Sequence, residues 1–347
     1  MLFSSSVKPR TVSASCLALA LLAVTVPSVA QVRLDGVIQE GGSGLFSRAP
    51  DEFRVFRDGE LKGARKVAIS VFNVAFPSKN TFSANTKGST IGWSSSHESS
   101  METEISGIDP GTQQRIADKA YGLFVEQLKA AGYEVVDPAE FARLAPEFAK
   151  WEVLPNFSQG RYGSYVAPTG RPLFFLPGDV SNRDTSGTFG LLNAIVSRGV
   201  DGTQAYKRSA YVAHDGGIGV IAVTLIIDYG VYSSSGERHS FMGTSKVGFK
   251  PGVTIGAGNH IDSGSLIEYW SPNSGGFPAQ AFLQIPVRSE APFWIADGFN
   301  NTQDLVVEGR TVKRASIAAD PAKFEAAAND VTALVTTKLV KVMTDGR

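Results

Sequence analysis

The chain has 347 residues, with 33 basic and 33 acidic side chains, four histidines and one cysteine. A balanced charge with no basic patch excludes the electrostatic footprint of a nucleic-acid binder or of a protein held on anionic lipid. The length allows a large apolar core without covalent staples, and a lone cysteine excludes an intrachain disulfide framework.

The N-terminus carries an address. Lys8 and Arg10 supply a short positive region, Cys16–Val26 (CLALALLAVTV) is apolar, and Ser28-Val29-Ala30 places small residues before Gln31. This pattern predicts a cleaved secretory signal over residues 1–30. The competing reading, a membrane anchor, needs about 20 apolar residues, roughly twice this run. Cys16 precedes the apolar run instead of following it, so it is misplaced for lipid attachment and leaves with the signal. The mature chain would then be cysteine-free. Losing Lys8 and Arg10 but no acid moves the net charge from zero to −2. No later segment is long and apolar enough to predict a transmembrane helix after signal removal.

Residues 31–65, with Gly41-Gly42-Ser43-Gly44 at their centre, read as a flexible N-terminal arm. A single α+β domain is expected over 66–347. Its first strand is Lys66–Phe76 (KVAISVFNVAF), where Val67, Ile69 and Val71 alternate with Ala68, Ser70 and Phe72. Both sets are apolar enough for a central strand. Residues 78–107 form a polar insertion, rich in Ser, Thr and Asn, which reads as a long loop or a polar β-hairpin.

Asp109-Pro110 is a helix start, an N-cap acid followed by a first-turn proline. Ile116, Ala120, Leu123, Phe124, Leu128 and Ala131 then recur at spacings of three and four, and Gly132 is a left-handed stop. Tyr133–Val136 predicts a strand, and Asp137-Pro138 opens a short helix, Ala139–Leu144. Thr188–Arg198 predicts a further helix.

The strongest β signal is Ile218–Tyr232 (IGVIAVTLIIDYGVY). With a turn at Ser233–Glu237 and a return over Arg238–Phe249, it predicts a long hairpin at about 218–249. Ser263–Trp270, Ala279–Val287 and Asp304–Val312 predict further strands. Asp320-Pro321 repeats the helix start, and Phe324, Ala328, Val331, Val335, Leu339 and Val342 form an apolar stripe. No internal repeat stands out. The expected fold is α+β: a mixed, mainly antiparallel sheet with two long amphipathic helices, about 111–131 and 320–343, on one face.

The strand at Lys66–Phe76, the helix at Gly111–Ala131 and the phrase AAGYEVVDPAEF together resemble the periplasmic α/β domain of Gram-negative envelope proteins. Such domains occur in the N-terminal part of TolB, in the lipoprotein activators of penicillin-binding proteins and in curli-type secretion lipoproteins. The later strand VIAVTLIIDYG and the closing helix fit the same layout. The resemblance covers about 66–145, 189–250 and 320–343. The missing lipidation signal, the insertion at 78–107 and the segment 250–312 depart from it.

The resemblance implies a non-catalytic protein of the periplasm or outer-membrane periphery that binds an envelope protein partner, with oligomers allowed and the extracellular space as a further destination. A second reading is an oligomeric curli-type secretion pore, in which 78–107 or 263–287 would cross the outer membrane as hairpins. Such strands need about ten residues alternating with an apolar outer face, and 78–107 is too polar.

A third reading is a secreted metal-dependent hydrolase. His214, Asp215, His260 and Asp262 could gather at one end of the hairpin as imidazole and carboxylate ligands. The sequence has no HExxH or other metal-ligand spacing, no GxSxG elbow and no phosphate loop, so these residues read more simply as exposed turn side chains and no cofactor is implied. Aromatics on irregular segments, Tyr162, Tyr165, Phe174, Phe175, Tyr269 and Trp270, form a candidate partner surface. The simpler reading of the same rings is that they plug the ends of the sheet core.

Overall fold

The apolar run that begins near Ile218 forms the spine of the protein. The computed structural model describes residues 32–34, 53–56, 64–90, 93–146, 153–160, 162–175, 212–238, 243–256, 265–273, 278–283, 286–307 and 310–345.

In chain order the strands and helices are as follows. The N-terminal arm supplies β1 (Val32–Leu34) and β2 (Phe53–Phe56), followed by β3 (Lys66–Phe76), β4 (Lys79–Thr90) and β5 (Trp93–Ser106). Helix α1 (Pro110–Ala130), β6 (Glu134–Val135), α2 (Pro138–Leu144), β7 (Ser158–Gly160) and β8 (Gly163–Val166) come next. The central hairpin is β9 (Gly219–Arg238) and β10 (Gly243–Ile255), preceded by a short helical turn at 212–216. Strands β11 (Leu266–Trp270), β12 (Ala279–Leu283), β13 (Val287–Ser289), β14 (Trp294–Val307) and β15 (Arg310–Ala319) lead into the closing helix α3 (Pro321–Asp345).

Two sheets result. The larger has 11 strands, ordered β1-β13-β10-β9-β11-β12-β2, with β3, β6, β7 and β8 joined off that path. The first half of β9 pairs in parallel with β3 and antiparallel with β11, and its second half carries β10. The smaller sheet is β14-β15-β5-β4. Its two hairpins are antiparallel, and they join through a parallel pairing of β15 with β5. The fold is α+β with mixed, mainly antiparallel sheets, as the sequence predicts.

Helices α1 and α3 lie side by side on one face of the larger sheet. Ile116, Ala120, Phe124 and Leu128 of α1 and Phe324, Ala328, Val331, Val335 and Leu339 of α3 are buried in one cluster with Val67, Ile69, Phe72, Val223, Leu225 and Val253. Each large apolar side chain contributes about 1.5–3 kcal/mol by leaving water. Between the helices, Gln127 donates to Ala333 O and Thr337 Oγ1, and Arg115 pairs with Glu325. All three aspartate starts act as caps: Asp109 accepts from Thr112 N at 2.9 Å, Asp137 from Ala139 N at 2.8 Å, and Asp320 from Ala322 N at 3.1 Å. Gly132 takes φ 91°, the left-handed stop that the sequence predicts.

Three expectations change and one open alternative is decided. The simple alternation in β3 breaks at Ser70, where the pairing with β9 shifts between Ile69 and Val71. A bulge adds one residue and reverses the parity. Val67 and Ile69, then Phe72, Val74 and Phe76, face the helices, while Ala68 and Val71 join a second cluster with Trp270 and Phe141. The polar insertion is a hairpin, in register from Lys79↔Glu104 to Thr90↔Trp93. In the central hairpin Ser233–Glu237 do not form the turn: the Ser-rich stretch continues the strand, and β9 and β10 stay paired as far as Arg238↔Gly243. The strand expected at 304–312 is divided between two antiparallel strands: β14 ends at Val307 and β15 begins at Arg310. In addition, the N-terminal arm supplies one strand to each end of the larger sheet, β1 beside β13 and β2 beside β12. The helix expected at 188–198 lies outside the described residues.

Candidate functional site

The two sheets meet where β4 and β5 cross β9 and β10, and polar side chains gather at this joint. The cause is local. The β9 sequence carries no charge until Asp228, which follows Ile226 and Ile227 and precedes Tyr229. Asp228 Oδ1 and Oδ2 accept from Asn80 Nδ2 of β4 at 2.9 and 3.0 Å, and Oδ1 also accepts from Tyr229 N at 2.7 Å. Asp228 has no ion-pair partner among the described residues. Burial pushes its pKa up to about 7, against the lowering effect of the Tyr229 N–H and the Asn80 amide.

Thr103 of β5 completes the joint. Its hydroxyl lies 3.0 Å from the Tyr229 hydroxyl and also bonds the Tyr232 hydroxyl, while Tyr229 Oη donates to Thr103 O at 2.9 Å. One proton order satisfies all three contacts: Tyr232 donates to Thr103 Oγ1, Thr103 Oγ1 donates to Tyr229 Oη, and Tyr229 donates to the Thr103 carbonyl. Burial, with the Asp228 charge adding to it, pushes both phenols above their ordinary value, so both stay protonated.

Aromatic rings seal the cluster. Phe82 of β4 and Phe249 of β10 pack on Tyr232 at centroid distances of 5.6 and 5.2 Å. The stack continues through Phe299, Trp294 and Phe293 to Phe324 of α3. Chemically, the arrangement places a half-buried carboxyl with a raised pKa at the joint between two sheets, beside aromatic rings and two protonated phenols.

The residues singled out from sequence lie elsewhere. His214 and Asp215 are exposed, and His214 Nδ1 and Asp215 Oδ1 are 3.0 Å apart. His260 and Asp262 lie outside the described residues. Among the described residues no group of three metal-ligating side chains comes together.

The proposed aromatic surface is mostly interior. Tyr165, Phe174, Tyr269 and Trp270 are buried at 0, 7, 2 and 1 % exposure, which removes them as a surface. Tyr165 packs edge-on to Phe175 at 5.0 Å, and Tyr162 and Phe175 are partly buried against the same cluster. Rings of this size sit at strand ends because burying them removes the most apolar area from water. Motif spacing misses the cluster at Asp228, although a lone acid in an otherwise apolar β run is its signal.

Comparison of the chain with protein-family models, with curated proteins and with solved structures finds no match.

Proposed function

We propose that this is an exported, non-catalytic envelope protein that acts by binding a protein partner, with the four-stranded sheet β14-β15-β5-β4 as its contact surface. The observation that carries this reading is the sheet itself. Both its outer strands, β14 and β4, keep one edge without a partner among the described residues. Unpaired strand edges are templates for another chain. Its outward face is polar and charged, with Arg314–Glu102 and Lys79–Glu104 ion pairs across adjacent strands. The export signal at 1–30 and the resemblance to periplasmic α/β domains support the compartment.

The pore reading fits less well. Its better candidate, 263–287, contains β11 and β12, which lie inside the larger sheet between β9 and β2. Crossing a membrane would require breaking both pairings.

Site-specific photo-crosslinking tests the proposal. Thr81 and Ser316 are exposed on the smaller sheet, and Lys129 is exposed on α1. A crosslinker at Thr81 or Ser316 should capture a discrete envelope protein in cells, and one at Lys129 should not. Adducts from Lys129 alone, or from none of the three, would refute it. A secreted chain whose mass begins at Met1 instead of Gln31 would refute the export signal separately.

A further inference from the structure

We infer that Asp228 is a proton-controlled latch that holds the β4/β5 hairpin against the central hairpin, tight when the carboxyl is protonated and loosened when it is ionised. The geometry carries this. Side-chain hydrogen bonds join β4/β5 to β9 through five groups: Asn80 to Asp228, and Thr103 to Tyr229 and Tyr232.

Among the described residues, the charged groups around the latch offer the carboxylate no nearby counterion. On β9 its neighbours are the neutral Tyr229 and Tyr232. On β4 and β5 they are Asn80 and Thr103, while Lys79 pairs with Glu104 and Glu102 with Arg314 on the outward face. Directly opposite on β10 is Thr254, and one strand further, on β13, is Arg288, which donates to Pro251 O at 2.9 Å. Beyond it on β1 the register places Arg33. Lys250 of β10 turns outward to Glu290. Among the described residues a negative charge at Asp228 is therefore held by the Asn80 amide and the Tyr229 N–H, and opening the joint to water relieves it.

The sign follows from linkage. The closed joint binds the proton up to about pH 7. An open, hydrated Asp228 releases it near its ordinary value, 3.8. Opening is thus rare in acid, grows as pH rises between those values, and levels off above the upper one.

Thiol labelling reads this directly. Met101 of β5 is 2 % exposed on the inward face, and Cys16 is the only cysteine of the chain. In a Cys16→Ser background, Met101→Cys should be labelled slowly at pH 5. Its rate per thiolate should rise at least about tenfold by pH 7 and flatten above it. Adding Asp228→Asn should remove the pH dependence. A control thiol at Val331 in α3, also buried, should not follow the rise.

A flat Met101→Cys profile overturns the latch, and so does a rise that survives Asp228→Asn or one shared by Val331→Cys. Should Asp228→Asn fail to fold, Asn80→Ala decides. It removes a bond that lowers the Asp228 pKa, so the levelling must move to higher pH, and an unmoved profile overturns the assignment.

Discussion

Replacing Asp228 with Asn should make the protein more stable at pH 8 and leave it little changed at pH 4. The pKa of the carboxyl rises from 3.8 to about 7 on folding, chiefly through burial. A tenfold change in proton affinity is worth about 1.4 kcal/mol, so the full penalty on an ionised Asp228 is about 4 kcal/mol. The sign is that of a raised acid. Below 3.8 both folded and unfolded chains hold the proton and nothing is lost. Between that value and about 7 the unfolded chain releases the proton while the folded chain keeps it, so stability falls, and above about 7 the loss is complete. Asp228 keeps some surface, and opening of the joint caps the penalty, which leaves about 1–2 kcal/mol to be measured. The Asn80 and Tyr229 bonds to Oδ1 can persist on an asparagine oxygen. Urea unfolding at pH 4, 6 and 8 should show the gap between variant and parent opening with pH at unchanged m-value. A variant equally destabilised at all three pH values would refute the reasoning, since it would make Asp228 a net stabilising partner of Asn80.

Three further outcomes follow from the packing. Gly107→Ala should cost more than about 1 kcal/mol, because φ is +88° and an added Cβ would stand 2.6 Å from the Ala319 carbonyl oxygen; an unchanged melting temperature would contradict this. Phe124→Ala, at the fully buried centre of α1 beside Phe72, should lose about 3–5 kcal/mol in denaturant unfolding. Thr103→Val keeps the shape and the Tyr229 bond to the residue-103 carbonyl but removes the hydroxyl that accepts from Tyr232, and should cost about 1–3 kcal/mol. Adding Tyr232→Phe should recover part of that loss, and a strictly additive double variant would argue against a shared network.

What the sequence conveys well is whatever depends on near neighbours. The three Asp-Pro starts are local chemistry, and each appears in the structure as a cap. The apolar stripes of α1 and α3 have a period that nothing along the chain disturbs. The turns are less legible for a physical reason: Ser233–Gly236 reads as a turn by composition, yet it pairs with Ser245–Gly248, because cross-strand bonding can hold polar residues in a strand. The bulge at Ser70 is hidden for a related reason. Both faces of β3 are apolar, so hydrophobicity cannot reveal where the parity reverses. The burial of Trp270 and Tyr165 depends on partners such as Val220 and Ala75 on other strands. The site at Asp228 joins positions 80, 103 and 228, a separation no local pattern reports.

The joint gains meaning from a repetition that sequence alone does not show. Strands β4 and β5 lead into α1, and β14 and β15 lead into α3, each through an Asp-Pro start. Strands β5 and β15 are parallel, Thr311↔Ser99 through Ala318↔Ser106, and their helices run side by side with Arg115 beside Glu325 and Gln127 beside Thr337. The offset is 212 residues along the strand pairs and 210 at both helix contacts, so the two units lie in nearly the same register. Two strands and two helices thus form one continuous support. Within it β5 is held by eight backbone pairings to β15, whereas β4 is held by β5 alone in that sheet. On the inference drawn for Asp228, its release undoes the Asn80 contact of β4 with the central hairpin and leaves the ladder of the smaller sheet intact, while the Thr103 bonds to Tyr229 and Tyr232 are the second hold on the same joint.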